Sequence, residues 1–521
     1  MTVSRRFLFA AAATCGALAC AYIARGAADS TATSDTAVIE SFTMLASQGR
    51  LLLGPYSRFQ WHHPGPLYFY AMAPFYALSG SRATGLNVGA LMINVAGLAL
   101  VTGMLRGRAS ARLTAAASAA LALLVLRVPD LLVSPWNAHV PVVAAMVMLV
   151  AAAAAMSGAE WALPLLALSA SLAAQTHVAL VPLSLAVGVA ATVGVLTQAR
   201  RRREGSRRER LGLLSTAAVL TLCWLPSLVE QFACHPGNLG LIWTFFVSES
   251  HPARPFAQAL SAWSDMIAGP LRPDFYLAHG WPFVESPVRW AEALACTELV
   301  LLAAATFTSK RKGRRFEMHL SAVLLGASLV SLWSATRIDG EIFDHAVFWF
   351  AGIGTLNLAV VAAWLSGIAV PQRGHWPGAQ WTAMASVSVL LVVAVVSGVG
   401  QLRGAVARSF APDGESRAAS AVAGDLRRFF QEQGVVRPLI RFDQEAWGMA
   451  AGVVLRLQKS GVPVAVENDW IAMYTPAFAE TGREATEVAV VGRAEHVRRL
   501  TRPGDRVVSA RDPLFAHLVN R

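Results

Sequence analysis

A polytopic α-helical membrane protein is the fold class this sequence predicts: about eleven transmembrane helices, juxtamembrane helices in the first external loop, and a small C-terminal extracytoplasmic α/β domain. Three observations predict it. Of 521 residues, 55% are hydrophobic and only 15% charged, with a mean hydropathy of +0.48, whereas soluble domains are about a quarter charged. The apolar residues fall in runs long enough to cross a bilayer. The basic residues behind the net charge of +12 sit in short clusters between those runs, which is a topology pattern and argues against a nucleic-acid partner.

The first span is expected at residues 7–26, preceded by Arg5 and Arg6. A cleaved signal peptide is the alternative, because ARGAADS offers small residues for cleavage. A retained anchor places the N-terminus in the cytoplasm and residues 28–83 outside. Residues 64–80 (PGPLYFYAMAPFYALSG) are aromatic and carry Pro64, Pro66 and Pro74. If they crossed the membrane, the next span would put Arg106, Arg108 and Arg112 outside, against the positive-inside rule. They are therefore read as a juxtamembrane helix lying along the outer interface.

Further spans are expected at 84–105, 111–128, 140–157, 161–177, 178–197, 211–228, 290–308, 317–335, 345–369 and 381–400. With this parity the basic loops ARRRREGSRRER (199–210) and SKRKGRR (309–315) fall inside, and most loop carboxylates fall outside. The division is a membrane domain over 1–400, with the long external loop 229–289, and an extracytoplasmic domain over 401–521. In that tail, 425–434 and 445–461 read as helices, and 437–443, VPVAVEN, TEVAVVGR and DRVVSAR as strands. The cysteines Cys15, Cys20, Cys223, Cys234 and Cys296 form neither a disulfide framework nor a CxxC metal site.

Chemistry-bearing residues gather in the loops assigned outside. SDTAVIESFTMLAS reads as a helix with Ser34 as its N-cap and Asp35 in its first turn. Asp35 and Glu40, five residues apart, point about 140° away from each other, so only one need face a cavity. Asp35 suits a general base; an ordinary surface acid beside a helix N-terminus is the bland alternative. His62 and His63 precede Pro64, and neighbours in an extended segment point opposite ways, so one of the two is expected to face the site. Arg58 suits a phosphate partner or a lipid headgroup. Asn137 lies in SPWNAHVP and His177 in AAQTHVAL; Glu230 and His235 open the long loop, and Arg337 stands in SATRIDGEIFDH. Polar groups at membrane depth tend to face a cavity, or else to bond between helices. No metal-ligand spacing is evident, and a divalent metal is left open. The cytoplasmic loops are too short for a nucleotide-binding domain.

The acid in the first external loop (Asp35), the HPGPLYFYAMAPFYALSG run (63–80) and a following span that ends in arginines resemble the GT-C glycosyltransferases. The likeness is to bacterial members of the protein-mannosyltransferase-like and lipopolysaccharide glycosyltransferase-like type. SPWNAH, QTH and WLPSLVEQFACHPGN (224–238) resemble the same group. The resemblance implies a multi-pass protein of the bacterial plasma (inner) membrane. It implies inverting transfer of a sugar from a polyprenyl-phosphate carrier to an envelope glycan, lipid or protein outside the cytoplasm, with Asp35 as base. Many members have two acids there, whereas this chain has Ser34-Asp35-Thr36; Glu40 is the candidate second acid. Donor phosphate and substrate are then expected at Arg58, His62, His63, Asn137, His177, Glu230, His235 and Arg337. A transporter or flippase would show repeated halves and charges near the midplane. A non-catalytic envelope scaffold would tolerate loss of Asp35.

Overall fold

The computed structural model describes residues 13, 16–202, 207–249, 253–283, 289–369, 378–482, 484, 487–493, 495, 497 and 506–520. Of the expected first span, residues 7–12, 14 and 15 lie outside them; residues 16–25 are helical (α1). The helices that follow are α2 (Ser34–Ser47), α3 (Leu67–Leu78), α4 (Thr84–Arg108), α5 (Ala111–Arg127), α6 (Pro141–Met156), α7 (Ala162–Thr176), α8 (Val181–Arg202) and α9 (Arg207–Ala233). Then come α10 (Asn238–Trp243), α11 (Phe256–Ile267), α12 (Arg289–Arg311), α13 (Arg315–Thr336), α14 (Asp344–Val347), α15 (Phe350–Ala369) and α16 (Ala379–Phe410).

Seven helices among the described residues are long and apolar enough to cross a membrane: α4, α9, α12, α13, α15, α16 and the run Val178–Gln198, which holds most of α8. The protein is therefore a multi-pass membrane protein. The expected spans at 111–128, 140–157 and 161–177 appear as helices of 17, 16 and 15 residues. At 1.5 Å per residue they rise about 22–26 Å, against a hydrocarbon core of about 30 Å. The sequence of α6 is apolar all round, and such a helix belongs inside a bundle; nearly all of it is buried. The aromatic α3 has 12 residues and rises about 18 Å, too little to span. Leu185, Leu222, Val300 and Val396 are each at least 64% exposed, the arrangement expected of side chains facing lipid.

The chain forms two compact units. One comprises Met1–His62, Phe69–Gly89 and Leu402–Arg521; the other comprises His63–Tyr68 and Ala90–Gln401. The second unit holds most of the apolar helices. There Gly354 of α15 lies against the Ile267 carbonyl at the end of α11, where a Cβ would stand 2.0 Å from that oxygen.

The first unit joins the first-loop residues to the C-terminal region. That region contains α17 (Gly414–Glu432) and α18 (Trp447–Lys459), with strands β1 (Leu439–Phe442), β2 (Ala465–Val466), β3 (Glu487–Gly492), β4 (Arg506–Arg511) and β5 (Leu514–Asn520). The sheet order is β2-β1-β3-β5-β4. β1 pairs in parallel with β2 and β3, and β5 runs antiparallel to β3 and β4. Asp413 starts α17 by accepting the Ser416 N–H at 2.7 Å. Val422, Leu426 and Phe430 of α17, Val453, Val454 and Leu457 of α18, and Ile440 and Leu518 of the sheet are buried. The sequence reading placed four strands here; β5 is the fifth. Its Leu514, Ala516 and Leu518 are buried in alternation, the period-2 pattern of a strand with one covered face.

Candidate active site

In the first unit the site is built around the start of α2. Thr33, extended, occupies the N-cap position without a side-chain capping bond. Ser34, expected to cap, instead has φ +53°, a conformation uncommon outside glycine, asparagine and aspartate. Gly448 of α18 packs against it so closely that a Cβ there would stand 2.4 Å from the Ser34 Oγ. Gly452, one turn on, would meet the Ala32 carbonyl at 2.7 Å. Two glycines on one face of α18 thus let the segment before Asp35 lie directly on that helix.

Asp35 is half-buried, and its Oδ1 accepts a short hydrogen bond from the Tyr56 hydroxyl. Burial first, then the Asp35 charge, pushes the Tyr56 phenol far above its ordinary pKa, so it stays a donor to the carboxylate. Tyr56 is fixed in turn by an antiparallel bridge to His62. His62 is buried, stacks on Phe42 with ring centroids 6.0 Å apart, and donates from Nε2 to the Tyr474 carbonyl at 3.0 Å. Arg58 is exposed, its guanidinium 4.9 Å from the Phe59 ring centroid.

Burial pushes the His62 imidazole down to about 4, against the pull of the Tyr474 carbonyl. The folded value lies below the ordinary one of 6.5, so the fold favours the neutral ring. The stability this supplies is whole above about pH 6.5 and is lost as pH falls through about 4. We expect acid to cost wild type about 3 kcal/mol more than it costs His62→Gln between pH 7 and 4. Thermal midpoints of both proteins across that range check it, and parallel curves would contradict it.

Glu40 points elsewhere, as the spacing predicted. It is fully buried, and its Oε1 accepts from the Tyr76 hydroxyl at 3.1 Å and the Lys459 Nζ at 2.9 Å. Lys459 also reaches Asp29 Oδ1 at 3.0 Å, and Arg456 donates a short bond to Asp29 Oδ2. Burial would lower the Lys459 ammonium, but Glu40 and Asp29 outweigh it and hold it above its ordinary value. Ser41 Oγ donates to Gln458 Oε1 at 2.7 Å. This cluster ties α2 to the last turn of α18.

The remaining candidates belong to the second unit. His63 Nδ1 accepts the Val178 N–H at 3.0 Å, and its ring stacks on His177 at 4.9 Å. Gln175, fully buried, accepts the Leu67 N–H at 3.1 Å and donates to the Cys223 carbonyl at 2.8 Å. The Tyr68 hydroxyl donates to the Pro135 carbonyl. A Cβ on Gly65 would stand 2.3 Å from Gln175 Oε1 and 2.4 Å from Ser227 Oγ, so this step of HPGPLY needs glycine. His63 and His177 come together; Glu230 instead accepts the Asn238 N–H at 2.9 Å at the start of α10. Asn137 is half-buried, and His235 and Arg337 are exposed.

Loops of this unit converge on His139. The ring donates to the Ala278 carbonyl at 3.0 Å and accepts from Ser134 Oγ at 2.7 Å, with Trp136 edge-on at 5.1 Å. Asp344, buried, accepts from the N–H groups of His279 and Gly280, both at 2.9 Å. Among the described residues no group of three or more His, Cys, Asp or Glu is placed to hold a metal.

Tyr56, which orients Asp35, and Lys459, which pairs with Glu40 and Asp29, are not singled out by the sequence reading; Tyr474 is, as an aromatic that contacts glycan or, by preference, packs in a core, and it is buried against Phe442 and Phe478. Lys459 had a signal: Lys310 and Lys312 belong to one basic loop, and Lys459 is the single other lysine in the chain.

No protein-family model matches the chain, and no curated protein matches it. Its structure is similar to that of ArnT from Cupriavidus metallidurans bound to undecaprenyl phosphate: TM-score 0.54 at 13% identity, over 99% of this chain and 98% of that one. ArnT in the apo state aligns at 0.48 and 12%, over the same shares. The archaeal oligosaccharyltransferase AglB from Archaeoglobus fulgidus, in complex with an inhibitory peptide and a dolichol-phosphate, aligns at 0.32 and 11%, over 93% of this chain and 70% of that one. The first likeness shows a shared fold.

Proposed function

We propose that the chain is a membrane glycosyltransferase that moves a sugar from a polyprenyl-phosphate carrier to an extracytoplasmic envelope glycan, lipid or protein, with inversion. The observation that carries the reading is Asp35: a half-buried carboxylate at the start of α2, oriented by Tyr56, in a chain whose fold is shared end to end with a protein solved with undecaprenyl phosphate. An ionised carboxylate offers about four acceptor positions, of which the Tyr56 bond uses one, and a carboxylate is the group that a base taking a hydroxyl proton needs.

In this reading the acceptor oxygen attacks the anomeric carbon, and the bond from that carbon to the carrier phosphate oxygen breaks. The electron pair leaves with the polyprenyl phosphate, and the acceptor proton goes to Asp35. A phosphate leaves without needing an acid, so the two-carboxylate arrangement of glycosidases is not required. Glu40, bonded to Lys459 and Tyr76 and fully buried, then positions α2. Arg58, which belongs to the same unit as Asp35, is assigned to the departing charge. The positive-inside pattern puts Asp35 and the C-terminal domain on the extracytoplasmic side of the bacterial inner membrane.

The test is transfer by the full-length protein reconstituted in liposomes, using donor lipid and envelope acceptor from a strain lacking the gene. The expected product carries the sugar in the opposite anomeric configuration, read by NMR. A product of retained configuration, or no product, would overturn the proposal.

A further inference from the structure

Two basic turns of the second unit meet in the fold. The turn from α4 to α5 carries Arg106, Arg108 and Arg112; the turn from α12 to α13 carries Lys310, Arg311, Lys312, Arg314 and Arg315. Glu317, in the first turn of α13, accepts the Ser110 N–H ahead of α5 at 3.1 Å, and Arg112 donates to the Ser366 carbonyl of α15 at 3.2 Å. Of the helices involved, α4, α12, α13 and α15 are long and apolar enough to span, so the cations stand where spans leave the membrane. All but Arg108 and Arg112 are exposed. The carboxylates beside them are few: Glu317, 3.3 Å from Arg314, and Glu160 in the turn from α6 to α7.

Topology alone asks only that cations lie on one side of the membrane. Two features go further. A helix dipole favours cations at the C-terminus and disfavours them at the N-terminus, yet Arg112 stands in the first turn of α5, and Arg314 and Arg315 open α13. Their charge calls for an anion from outside the helices. In both turns, moreover, a cation lies over an exposed aromatic ring. The Arg311 guanidinium is 4.2 Å from the centroid of Phe307, which is 53% exposed, and that of Arg108 is 5.8 Å from Trp161, which is 55% exposed. A cation beside an apolar ring suits a ligand that carries phosphate and hydrocarbon together.

We propose that this face binds the headgroup of an anionic phospholipid of the adjoining leaflet, with the phosphate on the cations of the two turns and the upper acyl chain against Phe307 and Trp161. The positive-inside pattern makes that leaflet the cytoplasmic one. Binding of this lipid does not depend on sugar transfer.

The test is the thermal midpoint of the full-length protein in neutral detergent, titrated with phosphatidylglycerol, with phosphatidylcholine of the same chains, or with inorganic phosphate. The expected result is a saturable rise with phosphatidylglycerol alone, weakened by high salt. Lys310→Gln, Lys312→Gln and Arg315→Gln, made together, should lower the apparent affinity for phosphatidylglycerol about 100-fold, at roughly fivefold for each cation removed. Lys310→Arg, Lys312→Arg and Arg315→Lys, which keep the charge, should bind as wild type does. An equal rise with phosphatidylcholine overturns the proposal, because it would show a general effect of lipid. An equal rise with inorganic phosphate removes the lipid as the occupant. Unchanged affinity in the neutralised variant removes the site. Should that variant fail to fold, Arg106→Gln alone is expected to lower the affinity about fivefold, and an affinity equal to wild type there is equally contrary.

Discussion

Asp35→Asn is expected to lower transfer about 10²- to 10⁴-fold while leaving the protein folded in the membrane. Asparagine keeps the oxygen that accepts from Tyr56 but cannot take a proton from an acceptor hydroxyl. The loss should fall on kcat, because the base acts in the transition state and contributes little to ground-state binding. Steady-state transfer with the protein level matched checks this. Full activity in Asp35→Asn would remove Asp35 from the chemistry and favour a scaffold or transport role.

Lys459→Met should have the largest effect on stability. The substitution keeps the length of the side chain and removes the charge between Glu40 and Asp29. Glu40 is fully buried, and Lys459 has 14% of its side chain exposed, so screening by water is weak. Breaking such a pair from one side costs about 3–5 kcal/mol, because the other charge stays buried. Asp29 is 44% exposed, and water screens its share of the pairing. Glu40→Gln in the Lys459→Met background keeps the acceptor for Tyr76 and removes the stranded charge. The double variant should recover most of the loss, and a double-mutant cycle on thermal midpoints reads the coupling. Strictly additive effects would show that the pair is not coupled.

The membrane character was legible because it rests on local pattern. Apolar runs give α4, α9, α12, α13, α15 and α16, and the arginine parity gave a reason to keep residues 64–80 from spanning, in agreement with a helix of only 12 residues. The opposed directions of Asp35 and Glu40 followed from helix geometry, and His62 and His63 do take their bonds from different partners. The partners themselves were not legible. Glu40 and Lys459 are 419 positions apart, and His62 and Tyr474 are 412 apart; no periodicity links such pairs. Ser34 looked like an N-cap because its residue type fits, and the close approach of Gly448 decided otherwise. Gln175 reads in sequence as a polar residue in an apolar hairpin; only the fold shows that it bonds the Leu67 N–H and the Cys223 carbonyl.

The central claim is that a polyprenyl-phosphate sugar is consumed at the outer face. The most direct measurement is the pool of lipid-linked sugars and the sugar composition of the envelope in a strain lacking the gene. The account predicts that one polyprenyl-phosphate sugar accumulates while its sugar disappears from the envelope, and that the wild-type gene reverses both. An unchanged lipid pool and an unchanged envelope, with the protein normally present in the parent strain, would contradict it.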